Sequence, residues 1–280
     1  MNEFDNFNGF LTEKGEKLFN TSNRSMKYGD GLFETIKVVG GELMYWDDHY
    51  DRLKLGITTL KLDDASFPKE KWEEQLMKVV TRNYYKYAKL RLTVYRDAPG
   101  LYAPMSNKIG YLIEGVRYSE TDSLQQVNVQ KLGVYTEMKK PIDVTSNCKT
   151  TSALIYVMAS IYKKEHQYDD VLILNADEKV CETSNSNLFI VKDGVVFTPA
   201  LSQGCVGGVM RLQVLKLCAL KGIDCQEVSL NLDQVKDADE VFLTNAIAGV
   251  IPVKEFQGEK KTPKLTDHLH ACFKDLILVN

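Results

Sequence analysis

A lysine, a glutamate, an arginine and a glycine-rich segment are the features of this sequence that could do chemistry. Lys149 stands in the segment SNCKTTSALIYVMA, just before an apolar run of helical character. A buried ammonium group is costly unless it is paired or neutral, and desolvation lowers the pKa of a lysine and makes its amine a nucleophile toward carbonyl groups. The plain alternative is an exposed lysine at the start of a helix.

The glycine-rich segment is SQGCVGGVMR, residues 202–211, and a helical run follows it. Glycine lets backbone N–H groups approach a ligand closely. A helix N-terminus adds unpaired donors and partial positive charge, so the combination favours binding of a phosphate. The segment is not a Walker A motif, because no Lys-Ser/Thr pair follows its last glycine. A flexible turn is the alternative interpretation.

Two charged side chains complete this set. Glu182 ends an apolar strand in VCETSNSNLFIV, where a carboxylate can face a pocket, although a turn residue is the plain alternative. Arg52 lies in DDHYDRL, one helical turn after Asp48, so its plain alternative is a surface ion pair. Turned inward, the Arg52 guanidinium would be a bidentate phosphate ligand.

The elements that must position these residues read strand, strand, helix, helix, strand, strand in the first half of the chain, and strands alternate with helices in the second half. In the first half, a Gly40-Gly41 turn predicts a hairpin, and Asp47 or Asp48 is the expected N-cap of the helix that follows. The elements expected there are a strand over 31–39, helices over 47–60 and 68–85, and strands over 88–95 and 109–116. In the second half we expect strands over 127–134, 170–174, 179–182, 187–198, 224–229 and 238–246, helices over 150–165 and 208–221, and a C-terminal helix.

This pattern predicts an α/β (α+β) protein of two domains. The polar run RYSETDSLQQ predicts an interdomain link at 119–126. The link would separate a smaller N-terminal domain, residues 1–118, from a larger C-terminal domain, residues 127–280.

Composition excludes several classes of protein. The 280 residues are 44% hydrophobic and 26% charged, with a net charge of −3, which excludes whole-chain disorder and argues against a nucleic-acid groove. No apolar run approaches the roughly 18 residues of a membrane span. The N-terminus lacks a charged-then-apolar signal pattern, so we expect a cytoplasmic protein. Six cysteines without a CxxC pair and four scattered histidines predict reduced thiols and no metal site.

Taken in order, these segments resemble the class IV aminotransferase family, the fold-type IV pyridoxal 5'-phosphate (PLP) enzymes. The resemblance implies a D-amino-acid-aminotransferase-like fold of two domains with PLP between them. It also implies a homodimer that acts on a small-molecule amine or amino acid. The segments that carry it are YGDGLFETI (28–36), DDHYDRL (47–53), Lys149, ETSNSNLFIV (182–191), TPALSQGCVGGVMR (198–211) and ADEVFLTNAIAGVIPV (238–253).

The resemblance also implies a role for each matching residue. Lys149 would bind PLP covalently and move protons, Glu182 would hydrogen-bond the pyridine nitrogen, and Arg52 would bind the phosphate. The other cofactor-binding positions that it implies are Asn187, Val209, Met210, Asn245 and Ala246. The substrate-binding positions that it implies are Arg24, Tyr28, Phe33 and Arg96, with Arg24 reaching the neighbouring subunit's site.

Members of the family differ in ways that bear on the reaction. D-amino-acid transaminases have a tyrosine where Phe33 stands and an Arg-x-His pair that YRDAPGLYAP (95–104) lacks. Branched-chain enzymes have an Arg-Pro-Leu strand where this chain reads KLRLTVY, and a tyrosine at the position of Leu154. Three features resemble the aminodeoxychorismate lyases: Met210, the TNA segment of 244–246, and Thr35. In those lyases the threonine that corresponds to Thr35 lies near the lysine.

The sequence therefore predicts first an aminodeoxychorismate lyase, which converts 4-amino-4-deoxychorismate into 4-aminobenzoate and pyruvate for folate biosynthesis. Thr35 is its second catalytic candidate beside Lys149. A transaminase that moves an amino group between a branched-chain or D-amino acid, or an amine, and a 2-oxo acid is the alternative. A PLP-binding protein without turnover is the third interpretation.

Overall fold

The computed structural model of this chain describes residues 2–121 and 125–279, the last five of these by their backbone alone. The chain forms two compact units. The first unit comprises Met1–Ser123 and Cys148–Ala153, and the second comprises Leu124–Asn147 and Leu154–Asn280. The segment that contains Lys149 is thus grouped with the first unit, whereas the sequence placed it in the C-terminal domain. The expected link at 119–126 falls partly outside the described residues.

The first unit is built on a six-stranded antiparallel sheet with the strand order β2-β1-β6-β5-β3-β4. Helices α1 to α3, whose bounds follow, accompany it. The strands are β1 (Phe4–Phe7), β2 (Phe10–Glu13), β3 (Gly31–Val39), β4 (Glu42–Leu43), β5 (Ala88–Arg96) and β6 (Ile109–Arg117), and the helices are α1 (Arg24–Tyr28), α2 (Trp46–Thr59) and α3 (Lys69–Arg82).

The two faces of this sheet differ in character. Side chains alternate between the faces of a strand, and the apolar set of β3 and β5, such as Leu32, Ile36 and Leu90, packs with α2 and α3 into a buried core. The opposite face carries Phe33, Thr35 and Arg91, which are only partly buried. Phe33, Thr35 and Arg91 therefore lie on the face that the hydrophobic core leaves open.

Helix α2 begins differently from the expectation. It starts at Trp46, and the residue before it, Tyr45, has a left-handed backbone with φ 53° and gives no side-chain cap. Asp47 and Asp48 therefore lie in the first turn and neither is the N-cap, so that prediction is wrong. Both carboxylates still face the positive end of the helix dipole, where negative charge is favourable.

The second unit contains two five-stranded sheets, with the strand orders β12-β11-β10-β13-β14 and β16-β15-β7-β8-β9. The first sheet comprises β10 (Asn187–Lys192), β11 (Val195–Pro199), β12 (Cys225–Val228), β13 (Glu240–Asn245) and β14 (Gly249–Pro252). The second comprises β7 (Leu132–Lys140), β8 (Asp170–Asn175), β9 (Val180–Thr183), β15 (Glu255–Phe256) and β16 (Glu259–Lys260). The helices are α4 (Leu154–Glu165), α5 (Val209–Lys221), α6 (Leu232–Lys236) and α7 (Leu265–Val279).

Three expected boundaries move in the structure. The strand expected over 187–198 is a hairpin of β10 and β11, because Asp193 and Gly194 adopt left-handed backbones with φ 50° and 79° and turn the chain. The strand expected over 127–134 begins at Leu132. The helix expected over 150–165 begins only at Leu154, because residues 149–151 pair with β3 and cannot be helical.

Candidate active site

Lys149 lies on an extended segment of the first unit, beside strand β3. Its carbonyl accepts a hydrogen bond of 2.8 Å from the Phe33 amide, and the Thr151 amide donates to the Gly31 carbonyl at 2.9 Å. The Lys149 Nζ lies 4.6 Å from the centroid of the Phe33 ring. The backbone of the candidate nucleophile is therefore held by sheet-like hydrogen bonds, and its amine contacts an aromatic face.

A second cation contacts the same ring. The Arg91 guanidinium carbon lies 3.8 Å from the Phe33 centroid, and burial lowers the pKa of Arg91. Arg91 pairs directly with Thr35 across β5 and β3, so Phe33, Thr35 and Arg91 share one face of the sheet. Sequence reasoning missed Arg91. The signal that could have found it is the alternation of β5, which sets Arg91 apart from the buried Leu90 and Leu92.

Arg52 points into the first unit, so the surface ion pair considered from the sequence does not describe it. Its side chain is 9% exposed. Its Nε and Nη2 donate to the two carboxylate oxygens of Glu34 at 2.9 and 2.5 Å. The His49 Nδ1 lies 2.7 Å from Oε2 of the same carboxylate. Glu34 therefore fixes the plane of the guanidinium.

The electrostatics of this cluster favour an ionised Glu34 and a neutral His49. Burial alone would raise the pKa of Glu34, but the Arg52 charge and the His49 hydrogen bond outweigh it and lower that pKa to about 2. Burial lowers the pKa of His49. A neutral imidazole with its proton on Nδ1 donates a hydrogen bond to the carboxylate. Glu34 thus stays ionised between two donors, His49 and Arg52.

Glu182 is the corresponding carboxylate of the second unit, and it is 3% exposed on strand β9. Its Oε1 accepts hydrogen bonds from the Lys140 ammonium and, at 2.7 Å, from the Tyr156 hydroxyl. Its Oε2 accepts one from the Val206 amide at 3.0 Å. Burial and the Glu182 charge raise the pKa of Tyr156, so its hydroxyl remains a donor. Sequence reasoning missed both Lys140 and Tyr156, which carry no motif.

Helix α5 offers an anion-binding end in the second unit. It begins at Val209 and Met210 after Gly208, no side chain caps it, and its first turn carries no acidic residue. A Cβ at Gly208 would lie 1.8 Å from the Asn187 Oδ1, so the close approach of this amide requires glycine. The Asn187 Nδ2 donates to the Val206 carbonyl at 2.8 Å and so holds the chain just before the helix.

Asn245 is the last residue of strand β13, and Ala246 begins the tight turn that follows it. The Asn245 Oδ1 accepts hydrogen bonds from the amides of Ile247 and Ala248 at 3.1 and 2.8 Å. Its Nδ2 donates to the Ser186 hydroxyl at 3.0 Å, next to Asn187. The second unit thus brings the turn of Asn245 close to the residue before Asn187.

The expected substrate residue Arg24 is engaged with a loop of its own unit. Its side chain is 4% exposed, and its Nε donates to Asp30 at 2.7 Å. Its two terminal nitrogens donate to the carbonyls of Gly100, Leu101 and Tyr102 at 3.0, 2.5 and 3.2 Å. In this chain the guanidinium pins the loop over 97–106.

Arg96 and Tyr28 belong to the same arrangement. The Arg96 Nε donates to Asp30 at 3.0 Å, and its Nη2 donates to the Leu60 carbonyl at 2.7 Å. The Tyr28 ring lies 5.4 Å from the Tyr102 ring and 5.0 Å from the Arg24 guanidinium. The structure therefore gathers three of the four expected substrate residues around Asp30 and the 97–106 loop, while Phe33 lies with Lys149.

The comparison with protein families decides what these residues belong to. The family described as amino-transferase class IV matches residues 31–256. That range holds both carboxylate clusters, Lys149 and the start of α5. The chain belongs to the class IV aminotransferase family.

Relatives within the family carry different activities. An aminodeoxychorismate lyase from Vibrio harveyi is 31% identical over 82% of this chain and 84% of its own length. A D-alanine aminotransferase from Bacillus licheniformis is 28% identical over 90% of this chain and 88% of its own. A branched-chain aminotransferase structure from Thermoproteus uzoniensis, solved with norvaline, is 24% identical, covers 100% of this chain and 96% of its own, and has a TM-score of 0.90. The fold is thus that of the fold-type IV enzymes, as expected.

Class IV aminotransferases are PLP-dependent enzymes, so this chain is an enzyme that uses PLP. Its residues fit that cofactor. PLP carries an aldehyde, a pyridine nitrogen and a phosphate, and the chain offers a lysine amine, a buried carboxylate, and both an uncapped helix N-terminus and a guanidinium. This donor set was the core of the resemblance seen in the sequence.

Other expectations concern chemistry away from this set. All six cysteines are free thiols in the structure, and four of them are buried. Over the part of the chain that the structure describes, no group of three His, Cys, Asp or Glu residues could hold a metal ion. Among the described helices, none has the length and apolar character needed to cross a membrane. The cytoplasmic location stays a prediction.

Proposed function

We propose that this class IV enzyme is an aminodeoxychorismate lyase, which forms 4-aminobenzoate and pyruvate and so serves folate biosynthesis. The observation that carries the proposal is the position of Thr35. Thr35 lies on the same face of β3 as Phe33, the ring that the Lys149 amine contacts. A hydroxyl on that face suits a reaction whose second half must protonate a leaving group. The 31% identity to a lyase supports the same choice.

The cofactor contacts that we propose follow the donor set. Lys149 binds PLP covalently through its amine. Glu182 hydrogen-bonds the pyridine nitrogen, with Lys140 and Tyr156 holding the carboxylate in place through hydrogen bonds to its Oε1. Phosphate charge is offset at the amides of Val209 and Met210, at the uncapped start of α5, with Asn187, Asn245 and Ala246 shaping the adjoining backbone. Arg52 is the guanidinium that we propose as a phosphate ligand, as the resemblance implies.

When bound, PLP supplies an electron sink for the negative charge that forms on the amine-bearing carbon of the substrate. Lys149, released by the substrate amine, removes the proton from that carbon through Nζ. Thr35 then donates its hydroxyl proton toward the departing enolpyruvyl oxygen and recovers a proton from Lys149. Lys149 and Thr35 thus divide the proton transfers between them.

A transaminase is the second candidate, which the similarity to aminotransferases supports, and Arg91 is the residue that would bind its substrates. Its guanidinium contacts the ring that Lys149 also contacts, so a carboxylate held there would lie on the same face of the sheet as the amine. Guanidinium groups bind carboxylates bidentately. Amino acids and 2-oxo acids share this group, but so does aminodeoxychorismate, and Arg91 alone therefore does not separate the reactions.

We also propose that the protein is a homodimer. Helix α4 exposes Leu154, Val157 and Ile161 at helical spacing, with 65%, 51% and 45% of their surface exposed. This stripe lies opposite the face that packs with β7 and β8, and a partner would remove it from water. Light scattering on the purified protein tests the proposal, and a monomer at micromolar concentration would contradict it.

The reaction is tested by mixing PLP-loaded protein with L- and D-amino acids and with aminodeoxychorismate. We expect pyruvate and 4-aminobenzoate from the last, with the cofactor spectrum restored afterwards. Thr35→Ala should lower this turnover roughly a hundredfold while Thr35→Ser retains most of it. Lys149→Ala should lose both turnover and the visible absorbance of the lysine-bound cofactor.

Two results would contradict the proposal. A 2-oxo acid formed from an amino acid, together with the amine form of the cofactor and no lyase products, would establish the transaminase instead. PLP binding without any product from the whole panel would leave the protein as a cofactor binder.

A further inference from the structure

The glycine-rich loop over 201–208, which ends at the N-terminus of α5, is attached at both ends to a single asparagine. The Asn147 Nδ2 donates to the Leu201 carbonyl at 2.9 Å and to the Cys205 carbonyl at 2.7 Å. The Asn147 carbonyl accepts a hydrogen bond from the Gly207 amide at 3.0 Å. No motif drew attention to Asn147, which stands two positions before Lys149.

Other side chains hold single points of the same loop. The Asn175 Nδ2 donates to the Gln203 carbonyl at 3.0 Å. The Asn187 Nδ2 donates to the Val206 carbonyl, and the Val206 amide donates to Glu182. Asn147 differs because its one amide group joins the first residue of the loop to the fifth. Both of its N–H donors are used for this purpose, so the side chain acts as a brace across the loop.

The loop needs such a brace because of its composition. Glycines at 204, 207 and 208 give its backbone more conformational freedom than other residues would, and Gly204 adopts a left-handed φ of 85°. If a loop becomes ordered only when an anion binds, the entropy lost on ordering weakens the binding of that anion. Hydrogen bonds from Asn147 can order the loop before an anion arrives, because all their donors and acceptors belong to the chain itself.

We propose that Asn147 is a positioning residue that preorganises the 201–208 loop, and with it the start of α5, for the phosphate of PLP. This inference rests on the proposed function for the identity of the anion. The role that we propose for position 147 requires the side-chain amide of asparagine. Alanine removes both donors, and aspartate would set a carboxylate against the carbonyls of Leu201 and Cys205.

The experiment compares PLP with pyridoxal, which has the same aldehyde and ring but no phosphate. Dissociation constants for both are measured by equilibrium dialysis on the full chain, first freed of cofactor. For Asn147→Ala we expect the Kd of PLP to rise roughly tenfold, the worth of two neutral hydrogen bonds, and that of pyridoxal to stay within a factor of about two. Asn147→Asp should weaken PLP binding further, because it adds repulsion to the lost donors.

Two controls keep the comparison sharp. Ser202→Ala alters an exposed side chain of the same loop and should change neither constant. Asn147→Ser keeps one donor and should give an intermediate loss for PLP, which also serves if the alanine variant folds poorly. Thermal unfolding of each cofactor-free variant checks that the fold is intact.

Equal weakening of PLP and pyridoxal by Asn147→Ala would overturn the inference, because it would mean general damage to the fold. Unchanged PLP binding would overturn it as well. Failure of the proposed function looks different. A wild-type protein that binds PLP but converts no substrate contradicts the function, while the ratio of the two dissociation constants still tests Asn147.

Discussion

Both units bury a carboxylate between a cation and a ring-bearing hydrogen-bond donor. In the first unit, Glu34 lies between Arg52 and His49, and in the second, Glu182 lies between Lys140 and Tyr156. The clusters differ in which partner we propose as the cofactor ligand. It is the cation, Arg52, in the first unit and the carboxylate, Glu182, in the second.

This difference teaches how one interaction can prepare either of its partners. A buried charge is costly alone, so a ligand that must be charged and buried needs a fixed counter-charge. Glu34 supplies it for Arg52, and Lys140 supplies it for Glu182. The supporting residue in one unit is thus chemically the counterpart of the ligand in the other.

The largest expected effect comes from removing the support in the second unit. Lys140→Met leaves Glu182 buried without its cation, and we expect the free energy of unfolding to fall by about 3–5 kcal/mol. Urea denaturation of the cofactor-free protein measures this loss. Tyr156→Phe is the matched control, because it removes one hydrogen bond from the same oxygen and should cost about 1 kcal/mol. Equal stability of Lys140→Met and the wild type would break the comparison between the units.

The next effect concerns acid stability in the first unit. Since the pKa of Glu34 falls from its usual 4.5 to about 2 in the folded state, its contribution to stability is complete above pH 4.5. That contribution, about 3 kcal/mol by order of magnitude, is lost as the pH falls from 4.5 toward 2. The wild type should therefore lose more stability across this window than Glu34→Gln, as measured by urea denaturation at a series of pH values.

A second variant separates the two titrating groups. Burial lowers the pKa of His49 below its usual 6.5, so its contribution is complete above pH 6.5 and declines as the pH falls. His49→Asn should remove this earlier decline and keep the one below pH 4.5.

Parallel curves for the wild type and Glu34→Gln would show that Glu34 titrates normally in the folded chain, and the charged support of Arg52 would be contradicted.

The sequence predicted the ligands of each cluster better than their supports. Glu182 and Arg52 stand in segments that resemble the family, whereas Lys140 and Tyr156 stand in ordinary strand and helix sequence. A supporting partner is chosen by proximity in the folded chain, and Lys140 is 42 residues from Glu182. Local pattern carries no information about such a pair. The roles of both ligands stay predictions.

Element types were predicted well where a periodic pattern is long, as in β3 and α5, and boundaries failed where tertiary pairing decided them. Residues 150–153 have helical character in the sequence, but pairing of 149–151 with β3 delays α4 to Leu154. The substrate role of Arg24 stays a prediction, and its hydrogen bonds to three carbonyls of the 97–106 loop carried no signal in the sequence.

The grouping of Cys148–Ala153 with the first unit also bears on how the protein is made and divided. During synthesis, the six-stranded sheet is complete by Arg117, but the segment that pairs with β3 emerges from the ribosome only after some 30 further residues. If the chain is cut once near residue 121, the N-terminal fragment therefore lacks both that pairing and Lys149. The two units are consequently poor candidates for separate expression, and a protease that cuts the chain near residue 121 would leave Lys149 on the C-terminal fragment.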